Sequence, residues 1–223
     1  MIRSIDEVYQ LIKEEAPKKV AVAQAADAHV LHAIEGAHSE GYADAILIGS
    51  AEKIKKIAAE EGIDLTPYEI VDVEDEQQAA ATAVKMVHEK KADVVMKGLM
   101  GSSTFLREVL NREYGLRKKD SIISAIAVVE LEKVKKLNFI TDLAITPLPD
   151  LDTKIKILNN AVETAHKFGI EIPKVAALSA AETLNKKMAS SCDGAELETM
   201  NKLGKITGCE VAGPISFDLA MSE

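Results

Sequence analysis

The 223-residue chain is 47% hydrophobic but only 4% aromatic, with no Trp, so its core must be built from Ala, Val, Ile, Leu and Met. That length, at a mean hydropathy of +0.01, is ample for one large or two small globular domains. A formal net charge of −9 and a pI near 5.2 argue against a general nucleic-acid-binding surface, and no run approaches the ~18–20 apolar residues of a membrane span.

The N-terminus mixes charges early (Arg3, Asp6, Glu7, Lys13) and carries no apolar core of signal-peptide length. Cys192 and Cys209 form neither a Cys-x-x-Cys pair nor a metal spacing. The expectation is a soluble, reduced, cytoplasmic protein without nucleic-acid or membrane partners.

Residues 4–15 read as a helix, with Ser4 and Glu7 as a capping box and Ile5, Val8, Leu11 and Ile12 as the apolar stripe. Lys19–Ala23 is a strand, and Asp27 caps a helix that ends near Gly41. Strand 45–49 leads to a helix over 51–61, stopped by Gly62, then to strand 68–73 and a long helix over 75–90. Strands alternating with helices at this spacing imply βαβ units, a parallel sheet and right-handed crossovers.

The stretch from Ala92 to Arg107 organises the rest. Val94–Met96 suits a buried parallel strand. The chain then turns through Gly98, Gly101, Ser102, Ser103 and Thr104 into a helix whose apolar face is Leu106, Val109 and Leu110. Such a turn points free backbone N–H groups and a positive dipole end at one place, a ready site for phosphate or carboxylate. Lys97 and Arg107 bracket it with two cations, and Arg can hold phosphate bidentately. The same Ser and Thr residues also suit plain helix capping. Neither a Walker loop nor a dinucleotide fingerprint is present.

Beyond this point the pattern changes. The apolar run Ser121–Leu131 and the segment Asn138–Asp142 lack helical spacing and read as neighbouring strands, antiparallel by expectation. Pro147 and Pro149 mark a loop, Asp152 caps a helix to about Phe168, and Pro173–Ser179 is a strand. The segment 188–201 reads as helical after Ser190 or Ser191, and a strand over 210–214 completes the chain. Two α/β halves follow from this reading: residues 1–145, holding the turn, and residues 146–223.

Among the remaining polar residues, Thr141 and Asp142 close a strand, where they either face a cleft or simply end the strand. Ser179, Glu182, Asn185 and Lys187 cluster after another strand. Asp193 and Asp218 read as cap and turn residues, and Cys192 as a small buried residue. His29 and His32 share a helix face without a third ligand, so no metal site is expected. The Lys/Glu runs at 52–61 and 130–136 read as solvated faces.

Several segments together resemble the phosphate acetyl/butyryltransferase family, and its butyryltransferase branch most. They are Asp44-Ala-Ile-Leu-Ile-Gly49, Met96-Lys-Gly-Leu-Met-Gly-Ser-Ser-Thr-Phe-Leu-Arg107 and Val109-Leu-Asn-Arg-Glu-Tyr-Gly-Leu-Arg117. Phe139-Ile-Thr-Asp142, Pro173-Lys-Val-Ala-Ala-Leu-Ser179, Asn185-Lys-Lys-Met188 and Gly213-Pro-Ile-Ser-Phe-Asp218 continue the series in order.

The resemblance implies a two-domain, three-layer α/β fold of the isocitrate/isopropylmalate-dehydrogenase-like type, with a mostly parallel sheet in the first domain. It implies reversible transfer of a butyryl or acetyl group between coenzyme A and phosphate, by direct attack in an interdomain cleft. Acyl-CoA and phosphate are then substrates, no cofactor is covalently bound, and a homodimer or higher homo-oligomer is expected. Lys97, Gly98, Gly101, Ser102, Ser103, Thr104 and Arg107 would bind phosphate, with Arg107 and Ser103 catalytic. Thr141, Asp142, Ser179, Glu182 and Lys187 would face the substrate and CoA. Family members run on past this chain's Gly213–Asp218 element into a segment that carries a Ser-Arg pair and an acid. The alternative expectation is therefore a short, non-catalytic CoA- or phosphate-binding homologue, or a subunit completed by another chain.

Overall fold

The computed structural model describes residues 2–131, 136–143 and 145–222. The chain folds as α/β in two compact units, one of Tyr9–Lys119 and one of Met1–Val8 with Asp120–Glu223. The boundary expected at 145 lies inside the second of these.

In the Tyr9–Lys119 unit the chain runs β1 (Lys18–Ala23), α2 (Ala28–Ser39), β2 (Ala43–Gly49), α3 (Ala51–Glu61), β3 (Glu69–Asp72), α4 (Glu76–His88), β4 (Val94–Lys97) and α5 (Ser102–Val109). These follow α1 (Ile5–Glu14), whose Ser4 Oγ accepts from Glu7 N while Glu7 reaches back to Arg3 N, one residue short of a full capping box. The four strands are all parallel in the order β3-β2-β1-β4.

Alternation along the strands sends their side chains to two faces. Val22, Ala45 and Leu47 pack with Leu31 and Ile34 of α2 and Ile54 and Ala58 of α3. Ala21, Ala23, Ile46 and Ile48 pack on the other face with Ala79, Ala80 and Ala83 of α4, joined by Met100 and Phe105. Helices on both faces of a parallel sheet make three layers. The alanine face of α4 lets that helix lie close to the sheet, a substitute for the missing aromatics. Local signals hold as expected: Asp27 accepts from Val30 N, and Gly62 ends α3 in the left-handed region at φ 73°. On α5 the apolar face is corrected, since Val109 is buried and Phe105 packs inward while Leu110 is exposed.

The second unit holds an antiparallel pair, β5 (Ala127–Glu130) with β6 (Leu137–Ile140). A parallel pair follows, β7 (Lys174–Leu178) with β8 (Glu210–Ile215). Around them lie α6 (Leu151–Lys167), α7 (Ala189–Lys202) and the short α8 (Phe217–Ala220). Leu158 and Val162 of α6, Leu197 of α7, and Ile206, Cys209 and Val211 form the core.

Several expectations are corrected here. The strand expected from Ser121 starts only at Ala127, because Ile122 O and Ser124 Oγ are instead taken by Asn160 Nδ2. Asp150, not Asp152, caps α6, and its bonds from the Thr153 hydroxyl and backbone N–H hold its carboxyl below the usual range. Asp193 is no cap, since it sits within α7 and pairs with Lys154 at 2.5 Å. Cys192 is half-buried rather than buried. Within the Lys/Glu run at 130–136, positions 132–135 lie outside the described residues. Among the described residues no helix is long and apolar enough to cross a membrane.

Candidate functional site

Strand order places the site. The chain lays down β1, β2 and β3 in one direction, then returns through α4 to set β4 on the opposite side of β1. Loops leaving the C-terminal ends of β1 and β4 therefore diverge, and such a switch point is where open α/β sheets bind ligands. The turn Lys97–Gly101 lies there.

Two backbone bonds stitch this turn to the loop after β1: Gly98 N donates to Ala23 O at 2.8 Å and Leu99 N to Gln24 O at 3.0 Å. Gln24 takes φ 55° to offer that carbonyl. The approach is so close that a Cβ on Gly98 would lie 2.2 Å from Gln24 O. Only glycine allows it.

The helix α5 begins at Gly101, which has no side chain to cap with. Instead Glu76, in the first turn of α4, accepts Gly101 N at 2.9 Å. This carboxylate balances the positive end of the helix. The N–H groups of Ser102, Ser103 and Thr104 make up the first turn of α5, which has no intrahelical acceptors. Ser102 and Ser103 are exposed and Thr104 is half-buried.

The two bracketing cations differ. Lys97 Nζ donates to Met100 O at 3.0 Å and to Gly98 O at 3.4 Å, so it braces the turn from within. Arg107 has a side chain 60% exposed, and its Nε stands 3.6 Å from Glu108 Oε1. Glu108 is itself buried and accepts a 2.6 Å bond from the Tyr114 hydroxyl. Lys97, Gly98 and Gly101 thus lie on the turn, Ser102, Ser103 and Thr104 open α5, and Arg107 stands in its last turn.

The other five candidates all belong to the second unit. Thr141 Oγ1 donates to Ala125 O, and Asp142 accepts from Ala125 N and Thr146 N. Ser179 Oγ bonds with Ser190 Oγ, and Glu182 accepts from the Ser216 hydroxyl at 2.7 Å. Lys187 is exposed, and its backbone N–H donates to Asn185 Oδ1. His32 pairs with Glu61 and Glu35 on the surface, and those bonds raise its pKa. Among the described residues no group of three or more His, Cys, Asp or Glu is placed to hold a metal ion.

Sequence reading missed Glu76 and the Glu108–Tyr114 pair. Glu76 reaches a residue 25 positions away, which no local pattern reports. Glu108 did leave a signal, for it stands three residues after Phe105 and beside Val109, on the face of α5 that packs inward.

Comparison with known proteins adds an independent line. The family described as phosphate acetyl/butaryl transferase matches residues 3–84 and 76–223. The phosphate butyryltransferase of Clostridium acetobutylicum is 47% identical over 223 residues, all of this chain and 74% of that protein. A phosphate acetyltransferase of Rhizobium meliloti is 35% identical, over 98% of this chain and 69% of its own length. In solved structures, a branched-chain phosphotransacylase of Enterococcus faecalis V583 superposes with a TM-score of 0.79 at 32% identity, over 92% of this chain and 71% of that one.

Proposed function

The chain belongs to the phosphate acetyl/butaryl transferase family and is a phosphate acyltransferase, and from that premise we propose that it moves a short acyl group, butyryl or acetyl, between coenzyme A and phosphate. The observation that carries the finer reading is the glycine-pinned turn at the β1/β4 switch point, with Arg107 on the helix it opens. Phosphate rests on the first-turn N–H groups of α5, with the Ser103 hydroxyl donating and the Arg107 guanidinium neutralising its charge.

In one direction a phosphate oxygen attacks the thioester carbonyl. The carbon–sulfur bond breaks, CoA leaves as thiolate, and the proton given up by phosphate ends on that sulfur. In the other direction the thiolate attacks the acyl phosphate, and inorganic phosphate departs. No acyl-enzyme is needed, so holding the two substrates together supplies much of the rate. The thiol has a reference pKa of ~8.5 and needs help to ionise. Thr141, Asp142, Ser179, Glu182 and Lys187 are the proposed contacts of the acyl and CoA portion. Self-association into a homodimer or larger homo-oligomer belongs to the same proposal, as does a cytoplasmic location.

The test is CoA-dependent consumption of butyryl phosphate, with acetyl phosphate run beside it. Turnover of either substrate that depends on both CoA and the protein is expected. Phosphate binding without turnover would instead favour a binding-only homologue.

A further inference from the structure

We propose that Glu108, held by Tyr114, is a positioning residue that aims the Arg107 guanidinium at the phosphate. This rests on the reading of the Gly98–Arg107 turn as the phosphate site.

Neighbours on α5, the two residues have opposite environments: the Arg107 side chain is 60% exposed and that of Glu108 is 4% exposed. A buried carboxylate is strongly unfavourable unless both oxygens are answered. Here one oxygen takes a hydrogen bond and the other stands at ion-pair distance from a cation. Tyr114 Oη donates to Oε2 at 2.6 Å, and Oε1 faces Arg107 Nε at 3.6 Å.

Tyr114 is itself fixed. Its turn closes through Gly115 N to Asn111 O at 3.0 Å and Leu116 N to Val109 O at 2.9 Å. A Cβ on Gly115 would lie 2.2 Å from Asn111 O, so the turn has no slack. Lys85 Nζ stands over the tyrosine ring, 4.6 Å from its centroid. The bond to Glu108, with burial, pushes the Tyr114 hydroxyl up to about 12, so it stays a donor at any working pH.

The consequence lies in which nitrogen is engaged. Glu108 meets Arg107 through Nε, on the flank of the guanidinium, and both terminal amino groups stay available for two parallel bonds to a phosphate. A buried carboxylate anchored on tyrosine cannot follow the arginine into solvent. It acts as a pivot rather than as a rival anion, and it spares the arginine the rotamer search that an exposed side chain otherwise pays on binding.

The experiment measures Kd for inorganic phosphate and for CoA by titration of the full chain and of Glu108→Gln, Tyr114→Phe, Arg107→Ala and the Arg107→Ala/Glu108→Gln double variant. Gln keeps the shape and the bond from Tyr114 but removes the charge that holds Nε. We expect Glu108→Gln to weaken phosphate about tenfold and leave CoA within twofold. Tyr114→Phe should act in the same direction more weakly, and Glu108→Gln should add less than about twofold when Arg107 is already alanine. A purely structural role would weaken both ligands, or would persist in the double variant, and either result overturns the proposal. So does a phosphate Kd that is unchanged or tighter in Glu108→Gln. If Arg107→Ala leaves phosphate binding intact, the phosphate-site reading itself fails. If Arg107→Ala weakens phosphate while Glu108→Gln and Tyr114→Phe do not, only the positioning role falls.

Discussion

Replacing Arg107 with alanine is expected to lower kcat/KM for acyl transfer at least about 100-fold, the scale of losing one preorganised donor to a transition-state charge. In both directions of the reaction negative charge concentrates on the phosphoryl group and the attacked carbonyl oxygen. Of the two cations, Arg107 is the one whose side chain is largely exposed, whereas Lys97 spends its ammonium on the carbonyls of Gly98 and Met100. Arg107→Lys should recover little, since a point charge on a flexible stem cannot reproduce the two-pronged contact. Steady-state rates with phosphate varied at saturating butyryl-CoA check this. Arg107→Ala activity within about threefold of wild type would remove Arg107 from the site.

Gly98→Ala should be strongly disruptive for a single added methyl group. Its Cβ would meet Gln24 O at 2.2 Å, Ala23 O at 2.7 Å and Gln24 C at 2.8 Å, all backbone atoms that no rotamer change can move. The turn must then leave the β1 loop and give up the two hydrogen bonds that stitch them. Ordinary overpacking costs about 1–3 kcal/mol. A backbone collision belongs at or above the top of that range, so a melting midpoint lowered by roughly 6–12 °C is expected for a chain of this size. Activity should fall about 100-fold or more as well, because an ångström of misplacement at the reacting groups is worth that much. Gly36→Ala is the control: it lies inside α2 with nothing within 4 Å of the added carbon, and should stabilise slightly. Differential scanning calorimetry of the two variants separates the readings. A Gly98→Ala protein that melts like wild type would show that the turn is not pinned.

Local features were legible in the sequence because their causes are local. Asp27 before a run of helix formers, Gly62 after one, and the alternation of short apolar runs with amphipathic stretches placed β1 to β4 and α2 to α5 within a few residues. What sequence could not supply was the order of those strands. That β4 lies against β1 rather than β3 follows from the crossover through α4, yet this placement is what sets the glycine-rich turn at a switch point of the sheet. Glu76 at the start of α5 and Glu108 beneath Arg107 were hidden for the same reason, since each depends on partners brought in by folding. The stretch 121–126 misled in the opposite direction. Its apolar residues have strand composition, but its backbone is held by Asn160 instead of a neighbouring strand. Asp150 and Asp152 are equally good caps on paper, and the chain begins its helix at the earlier one.

Phosphate is proposed to sit on the first turn of α5. The most direct measurement is a titration of isotopically labelled protein with inorganic phosphate, following backbone amide resonances by NMR. Saturable shifts centred on Ser102, Ser103 and Thr104 and on the Arg107 side chain are expected, weakened in Arg107→Ala. Shifts centred elsewhere, or none on this turn at concentrations where phosphate supports turnover, would contradict it.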